Sequence, residues 1–149
     1  MNTPKKLTGY YYEDLEDLTR IPDDSIWFCC SDNALEELPI LSNLLKLLYC
    51  SGNYISELPV LPYELEALFC DFNNITELQE LPNTLKKIDC SCNKIKFITP
   101  DMYTIMKNIY FNLDYHSNQY YIDITRNIFY DQSGCSSEAQ FFGYEGDKY

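Results

Sequence analysis

Apolar and polar positions recur along this chain every 20 residues, most clearly from residue 25 to residue 98. Phe28, Leu48, Leu68 and Ile88 form one column, and Cys30, Cys50, Cys70 and Cys90 form a second two positions on. Asn33, Asn53, Asn73 and Asn93 follow in register. Leu45, Leu65 and Leu85 precede each set; Leu35, Ile55, Ile75 and Ile95, then Leu38, Leu58, Leu78 and Ile98, complete it. Within a repeat, Leu68 and Cys70 flank Phe69 at the two-residue period of a strand, so the Leu and Cys columns point inward and the residues between them point out. Cysteine suits such a column because it packs as a small apolar side chain. After the strand the chain must turn, leaving backbone groups that no ladder pairs. Asn73 carries both a donor and an acceptor and can satisfy them from inside. The return segment, "ELPVLP" with Pro39, Pro59, Pro62 and Pro82 nearby, predicts extended, non-helical chain. Self-similarity at this period predicts a solenoid of stacked coils with one short parallel strand each.

The ends depart from the period. Residues 1–24 read as an N-terminal cap with half a repeat: Leu15, Leu18 and Ile21-Pro22 fit the later columns. Repeats then fill 25–114, if Met106, Ile109, Phe111 and Asp114 make a fifth repeat one residue longer, with Asp in place of the ladder Asn. Residues 115–132 read as a C-terminal cap containing a strand, because Ile122, Ile124, Asn127 and Phe129 keep the strand-to-Asn spacing. The spacing does not say how that strand pairs. The stretch 133–149 is rich in Ser and Gly and reads as a loosely ordered tail, onto which Phe141 and Phe142 could dock.

Charge narrows the partners. The 149 residues carry 23 acids and 11 bases, a formal charge of −12, and most of the excess lies in residues 1–80. An acidic half repels phosphate backbones, so no nucleic-acid partner is expected. No apolar run is long enough to span a membrane, and the start lacks the apolar core of a signal peptide; a cytoplasmic location is the expectation. Seven cysteines are an odd number, there is no CxxC pair, and His116 is the only histidine, so neither a disulfide framework nor a metal site is expected. In-register strands put the four column thiols side by side and parallel, poor geometry for disulfides, and predict buried, reduced thiols. No glycine-rich phosphate loop and no nucleophile–base pairing stand out, so no cofactor and no enzymatic activity are expected.

The repeat "LxxLxCxxNxIxELPxLPxxL" resembles the shortest class of leucine-rich repeats. It is similar to the LPxLP repeats of bacterial type III effectors, and its Cys-for-Leu variant resembles repeats of bacterial surface-type proteins and giant DNA viruses. The resemblance implies a right-handed leucine-rich repeat solenoid. It implies a parallel β-sheet on the concave side, an extended convex side, little α-helix, and binding to another protein through the concave face. Some bacterial relatives add a ubiquitin-ligase domain with a catalytic Cys in a CxD context. Cys135, in "SGCSSE", lacks that Asp, so ligase activity is not carried over.

In such a solenoid the outward columns are Trp27, Leu47, Ala67, Lys87 and Asn108, then Cys29, Tyr49, Phe69, Asp89 and Tyr110, then Asp32, Gly52, Phe72, Cys92 and Leu113. Side-by-side aromatics make an apolar patch of the kind that marks a binding surface. Trp27, Leu47, Tyr49, Phe69, Phe72, Lys87, Asp89 and Tyr110 are therefore the candidate partner-binding residues. The competing reading is that these rings pack on one another or under a terminal segment. Asp17, Glu37, Glu57 and Glu77 read as a solvated convex rim. The functional expectation is a non-enzymatic protein-binding module with an unidentified protein partner. The alternative is a structural protein that self-associates as a homo-oligomer through the same face.

Overall fold

The computed structural model describes residues 9–11, 19–111, 121–124 and 127. Strands β1 (Gly9–Tyr11), β2 (Trp27–Cys29), β3 (Leu47–Tyr49), β4 (Ala67–Phe69) and β5 (Lys87–Asp89) precede one helix, α1 (Pro100–Phe111), and strand β6 (Tyr121–Asp123). The strands form a single sheet in chain order, every neighbour parallel. Phe28, Leu48, Leu68 and Ile88 lie opposite one another in the register and are fully buried.

Strands β2 to β5 are each entered through the same tight turn. The Pro22, Pro62 and Pro82 carbonyls accept hydrogen bonds from the N–H groups of Ser25, Leu65 and Leu85, at 3.0–3.1 Å. Where the proline is replaced by Ser42, its hydroxyl donates to the Asp23 carbonyl at 2.7 Å and accepts from Leu44 N–H at 3.1 Å. The four column cysteines are buried, and those in the described residues carry no disulfide. Ile55, Leu58, Ile75 and Leu78 close the core from the return side.

The asparagines hold successive coils together. Asn73 Nδ2 donates to the carbonyl of Cys70 in its own coil (3.1 Å) and of Cys50 in the coil before (2.9 Å). Its Oδ1 accepts from Ile55 N–H, also in the coil before, at 3.0 Å. Asn53 and Asn93 repeat the arrangement one coil either side. Every buried side-chain polar atom among the described residues has a partner.

Beyond Pro100 the structure corrects the sequence reading. The expected fifth strand at Ile109–Phe111 is the last turn of α1, and Tyr110 therefore leaves the strand column. The sequence has a local reason for this. Thr99 Oγ1 accepts from Met102 N–H at 3.3 Å as an N-cap, and Pro100 occupies the first helical position, where a missing N–H costs nothing. Met102, Met106 and Ile109 then recur at helical spacing and are buried. Next, β6 pairs with β5, placing Ile122 opposite Ile88. Asn127 takes over the ladder: its Nδ2 donates to Cys90 O at 2.8 Å and its Oδ1 accepts from Ile95 N–H at 3.0 Å. The helix occupies the return arm of this longer coil, lying against β6. At the other end, β1 places Tyr10 opposite Phe28, a strand the columns had not revealed. Leu15, Leu18, Asp17, Asp114, His116, Phe129, Cys135 and the tail 133–149 lie outside the described residues, as does most of the segment expected to cap the C-terminus.

Candidate functional site

The outer face of the sheet carries the columns that strand alternation turns away from the core. Trp27, Leu47 and Lys87 are half-buried there, and Ala67 between them is buried at 3% exposure. In the next column Cys29, Tyr49, Phe69 and Asp89 are half-buried. Tyr49 and Phe69 stack with ring centroids 4.9 Å apart and planes within 1° of parallel. In-register strands sit about 4.8 Å apart, so the register alone puts the rings at stacking distance. It also explains why these aromatics are half-covered, where alternation by itself predicts full exposure: each ring shields a face of its neighbour.

After each of strands β2 to β5 one residue adopts a left-handed backbone: Asp32 (φ 57°), Gly52 (φ 66°), Phe72 (φ 52°) and Cys92 (φ 52°). Glycine does this without penalty and aspartate with little, whereas a bulky side chain is strained there. Phe72 pays that strain and still leaves its ring 58% exposed. The core therefore gains little from an aromatic at this position.

A second column, which the hydrophobic pattern did not mark, lines the strand entrances: Ile26, Lys46, Glu66 and Lys86. Glu66 bridges both neighbours, its Oε2 2.8 Å from Lys86 Nζ and its Oε1 3.1 Å from Lys46 Nζ. Hydrogen bonds from Lys86 and then Lys46 hold its carboxyl below the usual range, outweighing partial burial. The alternation of charge in this column was legible, but only once its register was known. At the strand exits the groups are acidic. Ser51 donates to Asp71, and Asp89 Oδ1 accepts from Ser91 Oγ at 2.8 Å and Ser91 N–H at 3.1 Å. Across the face, charge thus runs from lysines at the strand entrances to aspartates at the exits, with the aromatic pair between.

A shallow depression of about 350 Å³ lies on this face, lined by Leu47, Tyr49, Glu66, Ala67, Phe69, Lys86 and Lys87. The gap exists because Ala67 is the smallest residue in its column. The structure thus brings Leu47, Tyr49, Phe69 and Lys87 together, sets Trp27 and Asp89 in the same two columns, puts Phe72 on the exit rim, and moves Tyr110 to α1. On the opposite, convex side Glu37, Glu57 and Glu77 are exposed, as a solvated rim requires.

The buried thiols are not poised for chemistry. Burial first, and then the neighbouring Cys29, pushes the Cys30 thiol up to about 12; burial likewise raises Cys50 and Cys70. Near neutral pH they remain protonated, and a protonated thiol is a poor nucleophile.

No family model and no curated protein matches the chain. Solved structures do. A leucine-rich repeat domain of a Shigella effector superposes with a TM-score of 0.61 at 30% identity, covering 79% of this chain and 49% of that one. YopM from Yersinia enterocolitica WA-314 superposes with a TM-score of 0.59 at 26% identity, covering 77% of this chain and 22% of that one. This chain thus spans half or less of either neighbour. The chain is a leucine-rich repeat protein whose solenoid is similar to those of bacterial effectors.

Proposed function

We propose that the chain is a non-enzymatic protein-binding module whose partner lies on the outer, concave face of the sheet. The observation that carries this reading is the apolar patch there: the stacked Tyr49–Phe69 pair, Leu47 and Trp27 beside it, and the strained, exposed Phe72 on the rim. A solenoid that needed these positions only for folding would place small or polar residues on them, as Gly52 and Asp32 do in the rim column. Trp, Tyr and Phe supply large contact area with few rotors to freeze, which is why they anchor interfaces. Lys87 and Asp89 add polar specificity. The acidic surface argues against a nucleic-acid partner, and no described helix is long and apolar enough to cross a membrane. Buried cysteines that form no disulfide suit a reducing, cytoplasmic setting.

The test is a Tyr49→Ser/Phe69→Ser double variant, with a thermal melt and partner capture measured side by side. The expected result is lost capture with a melting temperature close to that of the parent, since neither ring lies in the core. A melt far below the parent would make the rings packed structure and remove the support for this face. Sedimentation addresses the alternative: a stable dimer dissolved by the same substitutions would assign the face to self-association.

A further inference from the structure

The depression around Ala67 is specific enough to name its ligand's chemistry. We infer that it takes a large apolar side chain of an extended peptide carrying a carboxylate next to that side chain, with the carboxylate on Lys87. The inference rests on the concave-face reading above and narrows it to one partner chemistry.

The depression has an apolar floor and one charged flank. Leu47 and Ala67 form the floor, the Tyr49–Phe69 stack one wall, and Lys86 and Lys87 the other. The two lysines differ. Lys86 is committed to Glu66 at 2.8 Å, and Glu66 is shared with Lys46, so two ammonium groups already compensate one carboxylate. Lys87 has no ion pair among the described residues. Asp89, two residues along the same face, is the carboxylate placed to neutralise it. Asp89 Oδ1 accepts from both Ser91 Oγ and Ser91 N–H, which draws that carboxylate toward the strand exit. Among the described residues the wall therefore carries an excess of positive charge, on a chain whose formal charge is −12. Charges beyond a Debye length of about 8–10 Å are screened, so a docked ligand meets this local sign rather than the global one. An apolar group alone would fill the floor and leave Lys87 uncompensated; a basic or phosphate-free neutral neighbour would gain nothing from it. An adjacent Asp or Glu matches both halves of the site.

The experiment selects binders from a displayed library of random-sequence linear peptides on four targets: the parent chain, Ala67→Leu, Lys87→Glu and the Tyr49→Ser/Phe69→Ser double variant. Melts of all four establish folding, and Lys87→Gln replaces Lys87→Glu if the latter fails to fold. On the parent, the enriched motif should pair a large apolar residue with Asp or Glu. Lys87→Glu should keep the apolar residue and exchange the acid for Lys or Arg, while Ala67→Leu should weaken parent-selected peptides tenfold or more by filling the gap. For one selected peptide, Lys87→Gln should weaken binding about fivefold, the scale of a half-exposed ion pair, and should leave its Asn or Gln analogue within twofold. A parent motif without acid, or one unchanged by Lys87→Glu, would overturn the inference while leaving the concave face standing. Selected peptides that still bind the double variant would overturn both. If no peptide is enriched on the folded parent, the ligand is not a linear peptide and the inference falls.

Discussion

Replacing Asn73 by Ala tests the ladder where it is most exposed to accounting. The side chain makes four hydrogen bonds: to the carbonyls of Cys50 (2.9 Å), Cys70 (3.1 Å) and Asp71 (3.2 Å), and from the N–H of Ile55 (3.0 Å). These losses are unequal. The Cys50 carbonyl also accepts from Asn53, and that of Cys70 from Asn93, so each keeps one donor. Ile55 N–H has no second acceptor in the ladder, and Ile55 is fully buried. One orphaned buried donor costs about 1–3 kcal/mol, and the bonds lost around it add about 1 kcal/mol net. The expected total is about 3 kcal/mol, or a fall of roughly 10 °C in melting temperature for a chain of this size. Asn74→Ala is the internal control. Its side chain makes one exposed contact of 3.5 Å to the Tyr54 carbonyl, and its loss should cost less than about 0.5 kcal/mol. Urea titrations followed by circular dichroism would measure both. Equal losses for the two variants would refute the ladder as a source of stability.

Two further predictions follow from strain and burial. Phe72→Gly should leave stability within about 0.5 kcal/mol of the parent, because relief of the left-handed backbone offsets the entropy glycine adds to the unfolded chain, yet it should weaken partner binding; a loss above about 1 kcal/mol would make Phe72 packed structure. The folded pKa values of Cys30, Cys50 and Cys70 lie above the unfolded value, so the native state binds more protons than the unfolded chain in alkali. Their contribution to stability is complete below about pH 8.5 and is lost progressively as pH rises above it, through about 12 for Cys30. Melts across that range should show the decline, and a Cys50→Ala/Cys70→Ala variant should show a shallower one; identical slopes would contradict it.

The sequence was most legible where each residue's role repeats. Cys70 and Asn73 could be read because Cys50, Cys90, Asn53 and Asn93 do the same thing at the same offset, and core, turn and ladder follow from that register. Legibility failed where two periods fit the same residues. Met106 and Ile109 satisfy the solenoid columns and equally one face of a helix; the Thr99 cap and Pro100 decide for the helix, and those signals lie outside the repeat. Once a helix takes the return arm, β6 must lie further along the chain, so Asn127 rather than Asp114 continues the ladder. The candidate face was half legible. Alternation fixed which residues point outward, but the coverage of Tyr49 by Phe69 depends on the distance between strands, and the Lys46–Glu66–Lys86 bridge joins residues whose partnership is visible only across coils. Ala67 is the clearest omission, since a small residue gives no signal in a search for anchors, although it creates the depression.

The most direct test of the central claim is site-specific photo-crosslinking to a bound partner. A benzophenone amino acid would replace Leu47 on the concave sheet in one sample and Val60 on the return arm, which is 84% exposed, in another. The account predicts a covalent partner adduct from position 47 and none from position 60, with both proteins melting like the parent. An adduct from position 60 and none from position 47 would place the partner on the other side of the solenoid and contradict the account.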